Sequence, residues 1–186
     1  MYYTRNTFPY PYYVNAPVYN YARQPMYRAI PHQLKNVDRF GHRQPSNTSG
    51  KNGLKDYGKT PFVVNISEAA KQNNTYRTVI WTGDHLQVAL MSINPGEDIG
   101  LEVHPTTDQF LRIEQGQGLV QMGDTKDHLN VQKRVYDEYA IMVPAGKWHN
   151  VTNTGHTPLK LYSIYAPPEH PFGTIHRTKA DAMAAE

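Results

Sequence analysis

The sequence predicts an all-β domain, an antiparallel sandwich or barrel, behind an N-terminal extension too poor in apolar side chains to build a core. Three observations carry this. Between Tyr76 and Tyr165, β-branched and aromatic runs recur at the roughly 8–12-residue interval of antiparallel β folds. Turn signals separate them: Gly83-Asp84, Asn94-Pro95-Gly96, Gly123-Asp124 and Thr154-Gly155-His156. Eight of the 14 tyrosines, by contrast, fall within residues 1–30 among interspersed prolines, with no strand or helix period.

Residues 1–59 form the extension, a Tyr/Pro-rich basic tail and a polar Gly/Ser/Asn/Pro linker, expected to be disordered. The tail holds nine Lys and Arg against two Asp and Glu, whereas residues 60–186 hold ten against fourteen. The formal net charge of +3 thus joins a basic tail to a mildly acidic domain. Tyrosine offers flat area with a polar tip, and arginine stacks on it, so an adhesive role is the functional reading of the tail. Its diffuse charge and the lack of a recognition motif argue against nucleic acid. His32 and His42 lie in the linker and read as solvated.

The domain is expected over residues 60–170. The run Phe62–Ile66 is β-branched, and Ser67 is a candidate N-cap for a turn or two of helix. Tyr76–Thr82 and His85–Ile93 read as a hairpin about Gly83-Asp84. Leu101–His104 reads as a strand, Pro105–Thr107 as a bend, and Gln109–Ile113 as the returning strand. Leu119–Met122, Val131–Tyr136, Tyr139–Val143, Trp148–Asn153 and Leu159–Tyr165 complete the set, with charged Lys133 and Arg134 on an exposed edge. Residues 171–186 form a C-terminal tail with a short Ala-rich helix, reached through a Pro-rich segment expected to wrap the barrel.

Composition limits the chemistry. With no cysteine, disulfides and thiolate ligands are excluded. No run approaches the roughly 18 apolar residues of a membrane span, and no secretory h-region opens the chain, so a cytoplasmic protein is the default expectation.

Two stretches carry the chemistry. In Pro95–Gly118, Glu102 and His104 are two residues apart and share a strand face, and a bend would return Gln109 to it. In Tyr139–Asn153, His149 opens a strand after the Pro144–Gly146 turn. Taken singly, each reads as a surface polar residue on a half-buried sheet. Together they offer a carboxylate, an amide and two imidazoles, all metal-capable. An interior Glu102 needs a cation or hydrogen bonds. Two histidines and a carboxylate suit Fe(II), and oxygen-rich ligation suits Mn(II); Zn(II), Ni(II) and Co(II) stay open.

Gly96, Glu102, His104, Gln109 and Gly116, followed by Pro144, Gly146, His149 and Asn153, resemble the paired motifs of the cupin superfamily across roughly residues 61–166. Glu102 stands for the first motif histidine, Gln109 for the motif glutamate, and Glu138 for the glycine that opens the second motif. The resemblance implies a jelly-roll β-barrel with a divalent metal held by Glu102, His104, Gln109 and His149. The sequence is similar to small single-domain bacterial cupins often labelled mannose-6-phosphate isomerase-like, and cupin sandwiches often dimerise through their sheets. The resemblance implies a small-molecule ligand, a sugar derivative being one candidate, and an isomerase- or dioxygenase-like reaction, with Asp108 or Glu138 as candidate base. The competing reading is a non-enzymatic scaffold assembled through its Tyr-rich tail, as in a spore coat. His156 reads as solvated; His170 and His176 read as tail residues, with capping of the barrel mouth as the alternative.

Overall fold

The computed structural model describes residues 54–185. The expectations for the Tyr-rich tail, His32 and His42 lie outside these residues. Two antiparallel sheets face each other in a jelly-roll barrel. The larger has six strands in the order β6-β3-β8-β2-β1-β9, and the smaller three, β5-β4-β7. In chain order the strands are β1 (Arg77–Thr82), β2 (Gln87–Ile93), β3 (Asp108–Gln115), β4 (Gly118–Gly123), β5 (Val131–Val135), β6 (Ala140–Val143), β7 (Trp148–Asn153), β8 (Leu159–Ala166) and β9 (Ile175–His176). Helix α1 spans Ile66–Gln72 and α2 spans Lys179–Met183.

Alternation in the sequence becomes the wall of the barrel. On β3, Gln109, Leu111 and Ile113 are buried, while Phe110 and Arg112 are half-buried on the outer face. On β7, His149, Val151 and Asn153 point in. The interior core joins Met91, Ile93, Leu111, Ile113, Leu161 and Leu159 of the larger sheet to Val120 and Val151 of the smaller. Burial of such side chains contributes about 1.5–3 kcal/mol each, so the inward pattern fixes strand register. A second cluster lies outside the larger sheet, where Ala69 and Ala70 of α1 pack on Ile80 and Leu90.

Several local expectations are corrected. Phe62–Ile66 is not a strand: Val63 is 98 % exposed, and Asn65 caps α1 by accepting from the Glu68 N–H at 3.1 Å. The cap is therefore Asn65 rather than Ser67, which lies inside the helix. Leu101–His104 does not form a hairpin with Gln109–Ile113. Residues 96–102 instead pair with β7 of the smaller sheet, and β3 pairs with β6 and β8 of the larger. The bend at Pro105–Thr107 carries the chain between sheets.

The two ends of the described chain pack onto the barrel. Leu54 joins the α1 cluster. Asp56 accepts from Thr82 Oγ1 at 2.6 Å and from the Gly173 N–H at 3.0 Å, tying the first described residues to β1 and to the C-terminal segment. Residues 54–59 therefore belong with the barrel rather than with the linker. The C-terminal segment does too: β9 pairs with β1, and Ala182 of α2 is buried in the interior core.

Candidate metal centre

Backbone pairing assembles the site. Glu102 and His149 exchange both of their N–H···O bonds, at 3.0 and 2.9 Å, as directly opposed residues of an antiparallel pair. Their side chains therefore leave from the same face. The Gly146 N–H donates to the His104 carbonyl at 2.8 Å, fastening the second motif's turn to the first motif. Gly146 has φ +77°, a conformation that costs a side chain about 1–2 kcal/mol, which explains glycine at this turn.

The result is a compact donor set. Ligand atoms of Glu102, His104 and His149 all lie within 4.8 Å of one another. Nε2 of His104 and Nε2 of His149 each stand 3.3 Å from the same carboxylate oxygen, Glu102 Oε1. The other ring nitrogens are occupied. His149 Nδ1 lies 3.0 Å from the Lys147 carbonyl, and His104 Nδ1 lies 3.1 Å from Glu169 Oε1. Such partners accept from Nδ1–H, the arrangement that leaves Nε2 to a metal ion when one is bound. His149 Nε2 is buried and faces the Glu102 carboxylate at 3.3 Å.

Charge around the set is tuned. Burial pushes the Glu102 carboxyl up, but hydrogen bonds from His104 and His149 and the charges of His149 and Arg77 push it down harder, to about 2. Burial likewise pushes His104 down, and its contacts with Glu102 and Glu169 outweigh that and leave it raised. The buried Arg77 guanidinium lies 3.8 Å from Glu102 Oε2. His170 goes the other way: burial, with the Arg77 charge adding to it, takes its pKa to about 3, so its ring is neutral.

A cleft of about 350 Å³ opens beside this set, its walls including Arg77, Glu102, His104, Glu169, His170 and His176. The Cupin domain family model matches residues 89–165, a stretch that contains Glu102, His104, Gln109 and His149. The protein YrkC of Bacillus subtilis is 63 % identical over 175 residues, 94 % of either chain. The chain belongs to the cupin superfamily. An uncharacterized protein of Acanthamoeba polyphaga mimivirus is 44 % identical to this cupin over 115 residues, 61 % of this chain and 70 % of the relative. The crystal structure of BH2720 from Bacillus halodurans superposes on it with a TM-score of 0.70 at 65 % identity, covering 70 % of this chain and 99 % of that one.

The cupin barrel thus brings together Glu102, His104 and His149. Gln109 enters from the larger sheet, 2 % exposed, opposite Tyr165 on β8, with neither amide atom hydrogen-bonded. The two candidate bases sit elsewhere. Asp108 alternates away from Gln109, is exposed, and accepts the Ala145 N–H at 2.8 Å, so it caps the motif turn. Glu138 occupies the β5–β6 turn, its N–H bonded to the Ile113 carbonyl at the other end of β3 from Gln109. His156 is exposed, as expected. His170 and His176 are corrected in their favoured reading: they line the cleft rather than face solvent. Arg77 and Glu169 carried no sequence signal. Arg77 opens an ordinary strand, and Glu169 lies in a Pro-rich segment whose path only the fold defines.

Proposed function

We propose that this cupin holds one divalent transition-metal ion at Glu102, His104 and His149, with Gln109 as a fourth, oxygen donor, and acts with it on a small oxygen-donor molecule. The observation that supports this best is the convergence of two Nε2 atoms on one carboxylate oxygen while both Nδ1 atoms are tied down. Two imidazoles with carboxylate and amide oxygen suit Mn(II) or Fe(II), with Zn(II), Ni(II) and Co(II) as alternatives. When bound, the ion would supply Lewis acidity to a carbonyl, enediol or phenol oxygen, the requirement shared by isomerisation and oxygenation. A sugar derivative, as the mannose-6-phosphate isomerase-like cupins would take, is one substrate within that class.

The chain's own residues do the rest. Lys147 and Glu169 orient the imidazoles, Arg77 keeps Glu102 ionised, and the barrel wall excludes water. Glu169 is the cleft carboxylate placed to accept a proton, replacing Asp108 and Glu138 in that role. The reading is of a cytoplasmic enzyme. Its competitor is a scaffold assembled through the N-terminal tyrosines, in which the barrel carries no chemistry.

Metal content and thermal melting test the reading. The full chain is expected to bind about one ion and to gain stability from it, since an ion bound only by the folded state stabilises that state. His104→Ala and His149→Ala should abolish binding. Glu169→Gln, which loosens only the His104 ring, should weaken it about 10–100-fold. A protein that takes up no ion, and gains no melting temperature from Mn, Fe, Co, Ni or Zn, overturns it.

A further inference from the structure

We propose that Tyr165 is a positioning residue of the metal centre, holding the Gln109 amide so that its oxygen faces the ion; this rests on the metal reading above. The Tyr165 oxygen accepts from Gln109 Nε2–H and its own O–H donates to Ser163 Oγ. The need for such a residue begins with chemistry. Gln109 stands where the cupin motif has glutamate. A carboxylate presents an oxygen to a cation whichever way it turns. An amide presents an oxygen one way and two N–H donors the other. A glutamine donor therefore needs a fixed partner for its nitrogen, or it turns N–H toward the cation as readily as oxygen. His104 and His149 already have orienting partners in Glu169 and the Lys147 carbonyl, and Gln109 has none.

The fold sets Tyr165 in the right place. Gln109 on β3 and Tyr165 on β8 are directly opposed in the antiparallel register, and Ser163 lies two residues along β8 on the same face. All three are buried, with exposures of 2 %, 0 % and 0 %. The Tyr165 ring meets those of His104 and His170 edge-on, with centroids 5.6 and 4.9 Å away, so packing sets where its hydroxyl points. Burial pushes the Tyr165 phenol up, and the Ser163 and Gln109 side chains stand near enough to pull it partly back.

Satisfaction of buried polar atoms completes the argument. Both amide atoms of Gln109, the Tyr165 hydroxyl and Ser163 Oγ are buried without a hydrogen-bond partner. Such atoms are costly as they stand. An ion at Glu102, His104 and His149 takes Gln109 Oε1 but does nothing for Nε2, which can only donate. The Tyr165 oxygen is an acceptor directly across the strand pair, and Ser163 Oγ is an acceptor for the phenolic proton. One chain, from the ion to Oε1, from Nε2–H to the phenol and from its O–H to Ser163, gives all four atoms a partner. Loading the ion and fixing the amide are then a single event, with Tyr165 as the link.

The test is a double-mutant cycle on the full chain, with Mn(II) affinity read from the paramagnetic resonance signal of the free ion. Tyr165→Phe keeps the ring and loses the hydroxyl; Gln109→Met keeps the length and loses the amide. Tyr165→Phe is expected to raise the Kd about tenfold or more in the wild type. In Gln109→Met, where there is no amide to hold, it should change the Kd less than about twofold. Without metal, Tyr165→Phe should melt no lower than the wild type, since the hydroxyl it loses had no partner. Ser163→Ala should raise the Kd about two- to tenfold, again only where Gln109 is present, and it decides if Tyr165→Phe does not fold. Unchanged affinity in the deciding variant, equal weakening with and without Gln109, or a lower metal-free melting temperature in Tyr165→Phe overturns the proposal and leaves the metal site standing. A wild-type chain that binds no Mn(II) removes both.

Discussion

Glu138 has φ +70°, at the position where the cupin motif has glycine. A non-glycine residue pays about 1–2 kcal/mol there, partly offset by the entropy a glycine loses on folding. Glu138→Gly is therefore expected to raise stability, by about 0.5–1 kcal/mol, read as a higher denaturant midpoint at unchanged slope. An unchanged or lower midpoint shows that the Glu138 side chain compensates. Glu102 sets the acid limit of the metal-free protein. Its folded-state pKa is depressed, from 4.5 to about 2, so its contribution is complete above 4.5 and is lost as pH falls toward 2. The shift corresponds to a contribution on the order of 3 kcal/mol. Melting of the wild type should fall across that window, and Glu102→Gln should lack this component; parallel profiles refute it. At this scale the sequence singled out Glu102, His104, Gln109 and His149 as candidate ligands because motif spacing is local information, and Glu102, His104 and His149 lie close together. It did not name Arg77 or Glu169, which reach the site only through the pairing of β1 with β9 and the path of the C-terminal segment.

The element that most shapes the cleft is that C-terminal segment, running from Pro167 through β9 to α2. Polar contacts add to the buried Ala182 in holding it on the barrel. Gln87 bonds both backbone groups of His170, Asp56 accepts from Gly173, and Thr178 and Asp181 form a capping box on α2. Gln87→Leu removes the first of these and leaves two backbone groups without their partner, a cost of about 2–3 kcal/mol if both stay buried. The expected result is faster amide exchange at His170, with exchange in β3 and β8 unchanged. Uniform acceleration across the molecule means instead that the segment and barrel open together. The strands were legible because a period of two with one apolar face has few other uses. Phe62–Ile66 misled because its valines are exposed and Asn65 is spent on capping, where the local hydrogen bond outweighs β propensity.

For the whole molecule, the described residues carry their own core: two facing sheets, α1 outside, and both chain ends packed on. A chain beginning at Leu54 is expected to fold and to bind metal as the full chain does, whereas one beginning at Pro61 loses Asp56 and should melt lower. Equal melting of the two truncations shows that Asp56 adds nothing. The sequence by itself determined the all-β class, most strand positions and the grouping of Glu102, His104 and His149, because turn chemistry, alternation and motif spacing act over short separations. Tertiary structure alone decided that Glu102 pairs with His149 across the smaller sheet rather than with Gln109 through a hairpin. It also decided that Asp108 and Glu138 serve turns, and that Arg77, Glu169 and His170 line the cleft beside Glu102 and His104. Those outcomes follow from which sheet each strand joins and where the last twenty residues lie, and non-local pairing leaves no local mark in a sequence.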